Sequence, residues 1–225
     1  FSLSGRIPPS PPKTPEPPAR HASSVRRVSE QNPTDAAASG LWDVLTRRRS
    51  HRRYSPEPAS DDDVAYVLDC AHQFAVRCGF GAPRLDVIPR GETFDEVVRA
   101  AASGVLGLIN PWLRRTDASH LMLCAASYPA DRRARERAIE QAAMTMQVAV
   151  LAAAERGLAA CWMAGINHGR VETVHRLPDG AALIAMSPLG RPNTRGGPSW
   201  DAASRQLVSR RRRPLSDLWY AEEWR

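Results

Sequence analysis

The sequence is almost devoid of lysine, and this shortage decides how its positive charge is interpreted. Lys13 is the only lysine among 31 basic residues, so the net charge of +7 and the pI of about 9.9 come from arginine. The use of arginine at almost every basic position indicates a coding bias, such as that of a GC-rich genome, as readily as a function. The basic balance would permit a nucleic-acid or acidic partner, but by itself it is weak support for one.

Cysteines and long apolar runs are also scarce. The four cysteines (Cys70, Cys78, Cys124 and Cys161) show no CxxC spacing and no Cys–His cluster typical of zinc, so we expect no metal. Each lies in an apolar run, which predicts free buried thiols and a reducing, cytoplasmic location. No stretch is apolar enough to span a bilayer, and the start lacks the order of a secretory signal. We therefore expect no membrane association.

Proline is abundant only at the beginning of the chain. Residues 1–40 hold eight of the 19 prolines and only five residues from the set V, I, L, M, F, W, Y and C. Such a segment cannot bury enough apolar surface to offset the entropy of ordering it. We predict a disordered arm over residues 1–40, with a targeting peptide as the alternative, and a globular domain over residues 41–225.

Apolar periodicity predicts the elements of the globular part. A helix begins at LWDVLTRRR, and a second follows Ser60, which with Asp63 forms a variant of the capping box. The remaining predictions are the strand RLDVIP, a helix over TFDEVVRAAASGVLGLI, the strand ASHLMLCAAS, a helix over 139–154, the strand LAACWM, the loop AGINHG and the strand ALIAMSPLG. Helix 139–154 has no wide polar stripe and should be buried nearly all round. The pattern predicts an α/β or α+β domain with one mixed sheet.

The densest feature is RRRSHRR at positions 47–53, with five arginines, a histidine and a serine. Like charges this close need open solvent, a nucleic acid or a small bound phosphate. In an extended backbone, alternate side chains would share a face: Arg48, Ser50 and Arg52 on one side, and Arg47, Arg49, His51 and Arg53 on the other. Two guanidiniums flanking a hydroxyl suit a phosphate, because arginine forks match phosphate oxygens.

Four segments in the same order resemble the nitroreductase family of flavin-dependent oxidoreductases. RRSHRRYSPEPASDDDVAYVLDCA resembles the opening of the family, and AMTMQVAVLAAAERGLAACWMAGI resembles its central helix and the strand and loop that approach the flavin. ALIAMSPLGRP is similar to its last core strand, and RRRRPLSDLW to the basic segment near its end. The resemblance covers about residues 41–219.

The resemblance implies an α+β fold with a mixed sheet flanked by helices, in which the long buried central helix lies at a homodimer interface that binds FMN. It implies that Arg48, Ser50 and Arg52 hold the phosphate and ribityl chain, with contacts from Arg49. Met163, Ala164 and Gly165 would place backbone groups against the flavin ring, and Arg213 and Arg211 would reach the phosphate. The implied activity is NAD(P)H-dependent, ping-pong reduction of a small organic acceptor such as a nitroaromatic, a quinone or a flavin-like compound.

The sequence departs from the family pattern after the second helix. CGFGAPRLDVIP lacks the Asn-Gln-Pro-Trp-like stretch that touches the flavin edge in many members. This leaves open a non-enzymatic flavin-binding or basic interaction protein that has kept the fold. His168 and His175 are candidate proton donors beside surface roles, and Cys161 is a candidate redox thiol beside a structural role. The catalytic residues therefore stay unassigned. Arginines 210–213 could form a nucleic-acid patch, but the run lacks interleaved aromatics, and we expect no nucleic-acid partner.

Overall fold

The computed structural model describes residues 40–78 and 83–193. In chain order the elements are α1 (Leu41–Arg47), α2 (Asp61–Ala75), β1 (Arg84–Pro89), α3 (Glu92–Ala101), α4 (Val105–Ile109), β2 (His120–Ser127), α5 (Arg132–Glu155), β3 (Ala159–Ala160), α6 (His168–His175) and β4 (Ala181–Gly190). Short 3-10 turns occupy Val76–Cys78 and Pro111–Arg115. The division into an arm over 1–40 and a domain over 41–225 stays a prediction.

One four-stranded sheet, in the order β1-β2-β4-β3, organises the described chain. The named strands pair antiparallel, and the parallel component is a single bridge between Ser50 and Ala160. Helices flank this sheet, which confirms the α+β prediction.

The sheet is buried on both faces. On β2, Leu121 and Leu123 belong to one core cluster, while Met122 and Cys124 belong to the other. The first cluster includes residues of α3 and α6, and the second includes residues of α2 and α5. A strand covered on both sides gives a continuous apolar run instead of an alternating one, which explains the composition of ASHLMLCAAS.

The beginning of α2 forms as predicted. The Ser60 hydroxyl oxygen accepts a hydrogen bond from the Asp63 amide (3.2 Å), and the hydroxyl donates to Asp63 Oδ2 (2.7 Å). Three aspartates occupy the first turn, where the helix dipole favours negative charge.

Helix α5 is longer than predicted and less completely covered. It begins at Arg132, where the Asp131 side chain accepts a hydrogen bond from the Ala134 amide, and it ends at Glu155. Within the predicted range 139–154, Glu140 and Met144 are exposed. In the single chain, one side of the helix therefore faces outward beside its buried small residues, and burial nearly all round would require cover from a second chain.

The predicted helix over TFDEVVRAAASGVLGLI is two helices. α3 ends at Ala101, and α4 begins after Gly104, which has a φ of 65°. That conformation is strained for any residue with a side chain but is open to glycine. The break lets α4 turn back toward Ala102, whose carbonyl oxygen accepts hydrogen bonds from Nε and Nη2 of Arg114.

The predicted strand LAACWM is only partly regular. Ala159 and Ala160 pair with Gly190 and Leu189, and Met163 forms an isolated bridge with Met186. In this register Cys161 would pair with Pro188, which has no N–H to donate. The Cys161 amide donates instead to Ser187 Oγ (3.0 Å), so a proline on the neighbouring strand interrupts the ladder.

A bulge in β4 connects the sheet to α6. Cys124 pairs with Ala185 and Ala125 pairs with Leu183, which leaves Ile184 as the extra residue on β4. The Leu183 amide donates to Glu172 Oε1, and the Leu183 carbonyl oxygen lies 2.8 Å from His168 Nδ1. Two side chains of α6 therefore bond the backbone of β4 at the bulge.

Candidate flavin site

The arginine segment is fixed to the sheet by its neighbours in sequence. The His51 amide donates to the Ala160 carbonyl oxygen (3.0 Å), and Ser50 bridges to the same residue. Tyr54 is 1% exposed, and its hydroxyl donates to the His51 carbonyl oxygen (2.9 Å), with that of Pro188 3.3 Å away. The segment that carries the charges therefore has a buried aromatic anchor.

A small groove of about 130 Å³ lies where this segment meets the end of α5. Four basic side chains and several apolar residues line it: Arg47, Arg48, Arg49, His51, Val150, Ala154, Gly157, Leu158, Ala160 and Pro192. The apolar wall and the basic rim together make a pocket that can hold a compact anion.

The groove is not lined by alternate members of the segment 47–53. Arg47 is the last residue of α1, so the extended backbone starts only after it. Arg47, Arg49 and His51 line the same groove as Arg48, while the residues predicted to share a face with Arg48, which are Ser50 and Arg52, are not among its lining residues. Because α1 includes the first residue of the segment 47–53, the set of side chains that converge on the groove differs from the set expected for a fully extended segment.

The basic residues of the groove differ in what else they contact. Nη1 of Arg49 donates to the carbonyl oxygens of Thr46 and Arg48, and Arg47 Nε donates to the Asp43 carbonyl oxygen (3.4 Å). The Arg48 guanidinium is half-buried and has no hydrogen-bond partner within the described residues. Of the three arginines in the groove, Arg48 is thus the one most available to a ligand.

The groove lies beside the C-terminal end of α5. The helix dipole places partial negative charge there, which favours nearby cations by about 0.3–1 kcal/mol each at exposed positions. This interaction offsets part of the electrostatic repulsion among the three arginines even when no anion is bound. Their convergence is therefore compatible with a phosphate site but does not by itself require one.

The loop after β3 is the second part of the candidate site. Met163 exchanges both backbone hydrogen bonds with Met186, at 2.8 and 3.0 Å, so its amide and carbonyl already have partners. Ala164 and Gly165 are exposed, and a Cβ added to Gly165 would meet nothing within 4 Å. Of the three predicted loop residues, the last two thus present open backbone.

The carbonyl groups of this loop are held from the protein side. The Ala164 carbonyl oxygen accepts a hydrogen bond from the Ile166 amide (3.0 Å) and lies 2.7 Å from His168 Nε2. The Gly165 carbonyl oxygen accepts a hydrogen bond from Nδ2 of Asn110 (3.0 Å). Within the described residues, the amides of Ala164 and Gly165 donate no hydrogen bond. The loop therefore offers backbone donors while its acceptors are occupied.

The groove and the loop lie at two ends of one short stretch of chain. Ala160 lines the groove, and Ala164 and Gly165 follow within five residues, along a backbone paired to β4. Asn110 was not found from the sequence, because it is 55 residues away from Gly165 along the chain. Its position between an apolar turn and Pro111 gave no signal of a role in the loop.

The other candidate residues have structural contacts. His175 Nε2 lies 3.0 Å from Asp86 Oδ2, which joins α6 to β1. Cys161 is buried and forms no disulfide within the described residues. Burial raises the pKa of the Cys124 thiol to about 12, so this cysteine is an unreactive core residue. Arg211 and Arg213 lie outside the described residues.

The described residues were also compared with the requirements of a metal site and of a membrane-spanning helix. Across 40–78 and 83–193, no group of three or more His, Cys, Asp or Glu side chains is arranged to hold a metal ion. Within the same ranges, no helix combines the length and apolar character that crossing a membrane requires.

Comparisons with known proteins find one family. The model of the nitroreductase family matches residues 45–191. The structure of Bacillus megaterium NfrA1 is similar at 17% identity with a TM-score of 0.65, covering 82% of this chain and 75% of that one. The nitroreductase-like protein from Bacillus cereus is similar at 14% identity with a TM-score of 0.64, covering 84% and 100%. No curated protein matches the sequence significantly.

Proposed function

Because the chain belongs to the nitroreductase family, and an oxidoreductase role follows from that membership, we propose that it is an FMN-dependent enzyme that uses NAD(P)H to reduce a small organic acceptor. The acceptor class would be nitroaromatic, quinone or flavin-like compounds. The observation that carries the proposal is the continuity between the basic groove and the open loop at Ala164 and Gly165. We also propose a cytoplasmic location, since Cys70, Cys124 and Cys161 form no disulfide within the described residues.

The residues present fit the two chemically distinct parts of FMN. A phosphate needs concentrated donors, which Arg48 and its neighbours supply in the groove. A flat ring needs an unobstructed surface with a few fixed donors, and the loop has open space at Gly165. Ser50 and Arg52 are proposed to contact the ribityl chain, and Arg211 and Arg213 to reach the phosphate from the C-terminal segment.

When bound, FMN supplies the hydride chemistry, taking a hydride from NAD(P)H and delivering it to the acceptor in a ping-pong cycle. The protein's own contribution is positioning and electrostatics. The loop amides of Ala164 and Gly165 can donate to negative charge without bringing an ionisable proton to the site. Such a site needs few acid or base side chains, in agreement with the contact of the His175 ring with Asp86.

The first prediction tests the proposed cofactor. We expect the purified protein to be yellow, or to quench FMN fluorescence on titration, and to oxidise NADH or NADPH when a quinone or nitroaromatic is supplied. Riboflavin should bind more weakly than FMN, because it lacks the phosphate that the arginines recognise. A colourless protein that leaves FMN fluorescence unchanged would contradict the proposal.

A non-enzymatic flavin-binding or basic interaction protein remains the second candidate. The observation in its favour is the departure from the family pattern after α2, where the Asn-Gln-Pro-Trp-like stretch is missing. In its place β1 carries Asp86, whose carboxylate pairs with Arg84 and His175. The same assay separates the two candidates. FMN binding without oxidation of NADH or NADPH by any of the acceptors would favour this one.

We further propose a homodimer, in which the outward side of α5 and the adjacent α1 meet a second copy. Leu41 and Trp42 on α1 are 69% and 64% exposed, and Met144 on α5 is 47% exposed. α1 packs against α5. Exposed apolar area of this kind marks interfaces more often than free solvent-facing surface.

The second prediction follows from this surface. We expect light scattering of the wild-type protein with FMN to give about twice the chain mass of 24.7 kDa. Trp42→Glu should move the population toward the monomer, because burying an unpaired carboxylate in the interface is costly. Val174→Glu changes an exposed apolar residue of α6 and is the matched control. A monomeric wild-type protein at micromolar concentration would contradict the homodimer.

A further inference from the structure

His168 contacts a carbonyl oxygen at each of its ring nitrogens. Nδ1 lies 2.8 Å from the Leu183 carbonyl oxygen, and Nε2 lies 2.7 Å from that of Ala164. A carbonyl oxygen can only accept hydrogen bonds, while a neutral imidazole has one donor and one acceptor nitrogen. In the neutral form one nitrogen lone pair would therefore face a carbonyl lone pair. Both contacts are hydrogen bonds only in the imidazolium form.

This arrangement excludes the role that the sequence suggested for His168. A proton donor to a ligand needs a ring N–H directed at the ligand, and both nitrogens here are directed at backbone carbonyls. The histidine instead connects β4, at its bulge, to the loop of the candidate flavin site. It joins the sheet to the loop that we propose contacts the ring.

The contact between His168 and the Ala164 carbonyl oxygen also fixes the direction of the Gly165 N–H. The Ala164 carbonyl and the Gly165 amide belong to one peptide unit, in which C=O and N–H point in opposite directions. Holding the carbonyl toward His168 therefore points the Gly165 N–H away from the histidine, at a residue that is exposed. A positive charge on the ring also polarises this peptide and strengthens its N–H as a donor.

We propose that His168 is a positioning residue of the flavin loop, and that its imidazolium form sets the Gly165 amide for the ligand. The inference rests on the proposed FMN function. It predicts that loop geometry and ligand affinity follow the protonation of one histidine that does not touch the ligand.

Few other titratable groups lie on the described elements packed against His168. β4 carries none. α6 itself carries Arg170, Glu172 and His175; the Glu172 carboxylate accepts the Leu183 amide beside the Nδ1 contact, and His175 contacts Asp86. The titratable side chains of α3, which packs on α6, are exposed: Glu92, Asp95, Glu96 and Arg99. None of these groups bonds the ring in place of the two carbonyls.

The first measurement needs no ligand and no variant. In 15N-labelled wild-type protein, the ring nitrogens of His168 and the amide of Gly165 are followed by NMR between about pH 5.5 and about pH 8, the range in which histidine charge changes. We expect the Gly165 amide shift to change with the same midpoint as the His168 ring signals. A Gly165 signal that does not respond while His168 titrates would overturn the proposal.

The second measurement is the FMN dissociation constant over the same pH range. In the wild-type protein we expect affinity to fall roughly tenfold as the imidazolium is lost, the scale of one hydrogen bond to a charged group. His168→Gln should bind FMN weakly at every pH, without this step. The phosphate of FMN titrates equally in both proteins, so its contribution cancels in the comparison.

Asn110→Ala is the matched control, because it removes the other side-chain contact of the loop, to the Gly165 carbonyl, without removing a titratable group. Asn110→Ala should weaken FMN binding, and its FMN affinity should still fall with rising pH as that of the wild-type protein does. A wild-type protein that binds no FMN would refute the proposed function, whereas FMN binding with the same pH step in His168→Gln would refute only the role of His168.

Discussion

Replacing Arg48 with alanine should weaken FMN binding roughly 10- to 150-fold. A hydrogen bond to a charged group contributes about 1.5–3 kcal/mol, and about 1.4 kcal/mol corresponds to a tenfold change in the dissociation constant. Arg48 lines the groove and is the arginine there whose guanidinium has no hydrogen-bond partner within the described residues. Arg47 and Arg49 also bond backbone carbonyls, so their alanine variants should lose less affinity.

Arg53→Ala is the matched control, since Arg53 belongs to the same cluster but is not among the lining residues of the groove. Fluorescence titration with FMN and with riboflavin distinguishes a phosphate contact from general charge. Arg48→Ala should narrow the preference for FMN over riboflavin, whereas Arg53→Ala should leave it unchanged. Equal losses in all four variants that disappear at high salt would indicate a diffuse positive field instead.

Gly107→Ala should lower the free energy of unfolding by about 1–3 kcal/mol or more, the usual cost of overpacking a filled site. A Cβ at this position would lie 2.1 Å from the Ala102 carbonyl oxygen and 3.0 Å from Arg114 Nη2. The obstacle is backbone, which cannot rotate away as a side chain can. The same carbonyl accepts both Arg114 hydrogen bonds, so moving it also weakens the contact that holds the 3-10 turn Pro111–Arg115.

Gly169→Ala is the control for this substitution. Gly169 also lies in a helix, α6, but a Cβ there would meet nothing within 4 Å. Alanine is favoured over glycine in helices by about 0.8–1.0 kcal/mol, so this variant should be neutral or slightly stabilised. Urea denaturation of both variants measures the difference. Equal midpoints for Gly107→Ala and the wild-type protein would show that α4 moves freely away from Ala102.

The sequence predicted those elements whose causes are local. The apolar run of β2, the Ser60 cap of α2 and the strand RLDVIP each depend on residues close in sequence, and each is present. The break at Gly104 was missed because a glycine in an apolar helical pattern is compatible with either one helix or two.

Features that depend on distant residues could not be derived in this way. The shortness of β3 is set by Pro188 on the neighbouring strand, and the loop geometry by Asn110. The convergence of Arg47 with Arg48 depends on where α1 ends, and helix ends are poorly defined by local pattern. The concentration of arginines was therefore visible in the sequence, whereas the set of side chains that converge on the groove was not.

The contacts of α6 with the β4 bulge also bear on how the sheet avoids growing into an aggregate. On the side of β4 away from β2, β3 pairs only with Leu189 and Gly190, so the stretch around Leu183 would present a free donor and acceptor to a strand from another molecule. Glu172 and His168 occupy both groups. The residue that we propose tunes the flavin loop thus also closes an edge at which the sheet could otherwise recruit another chain.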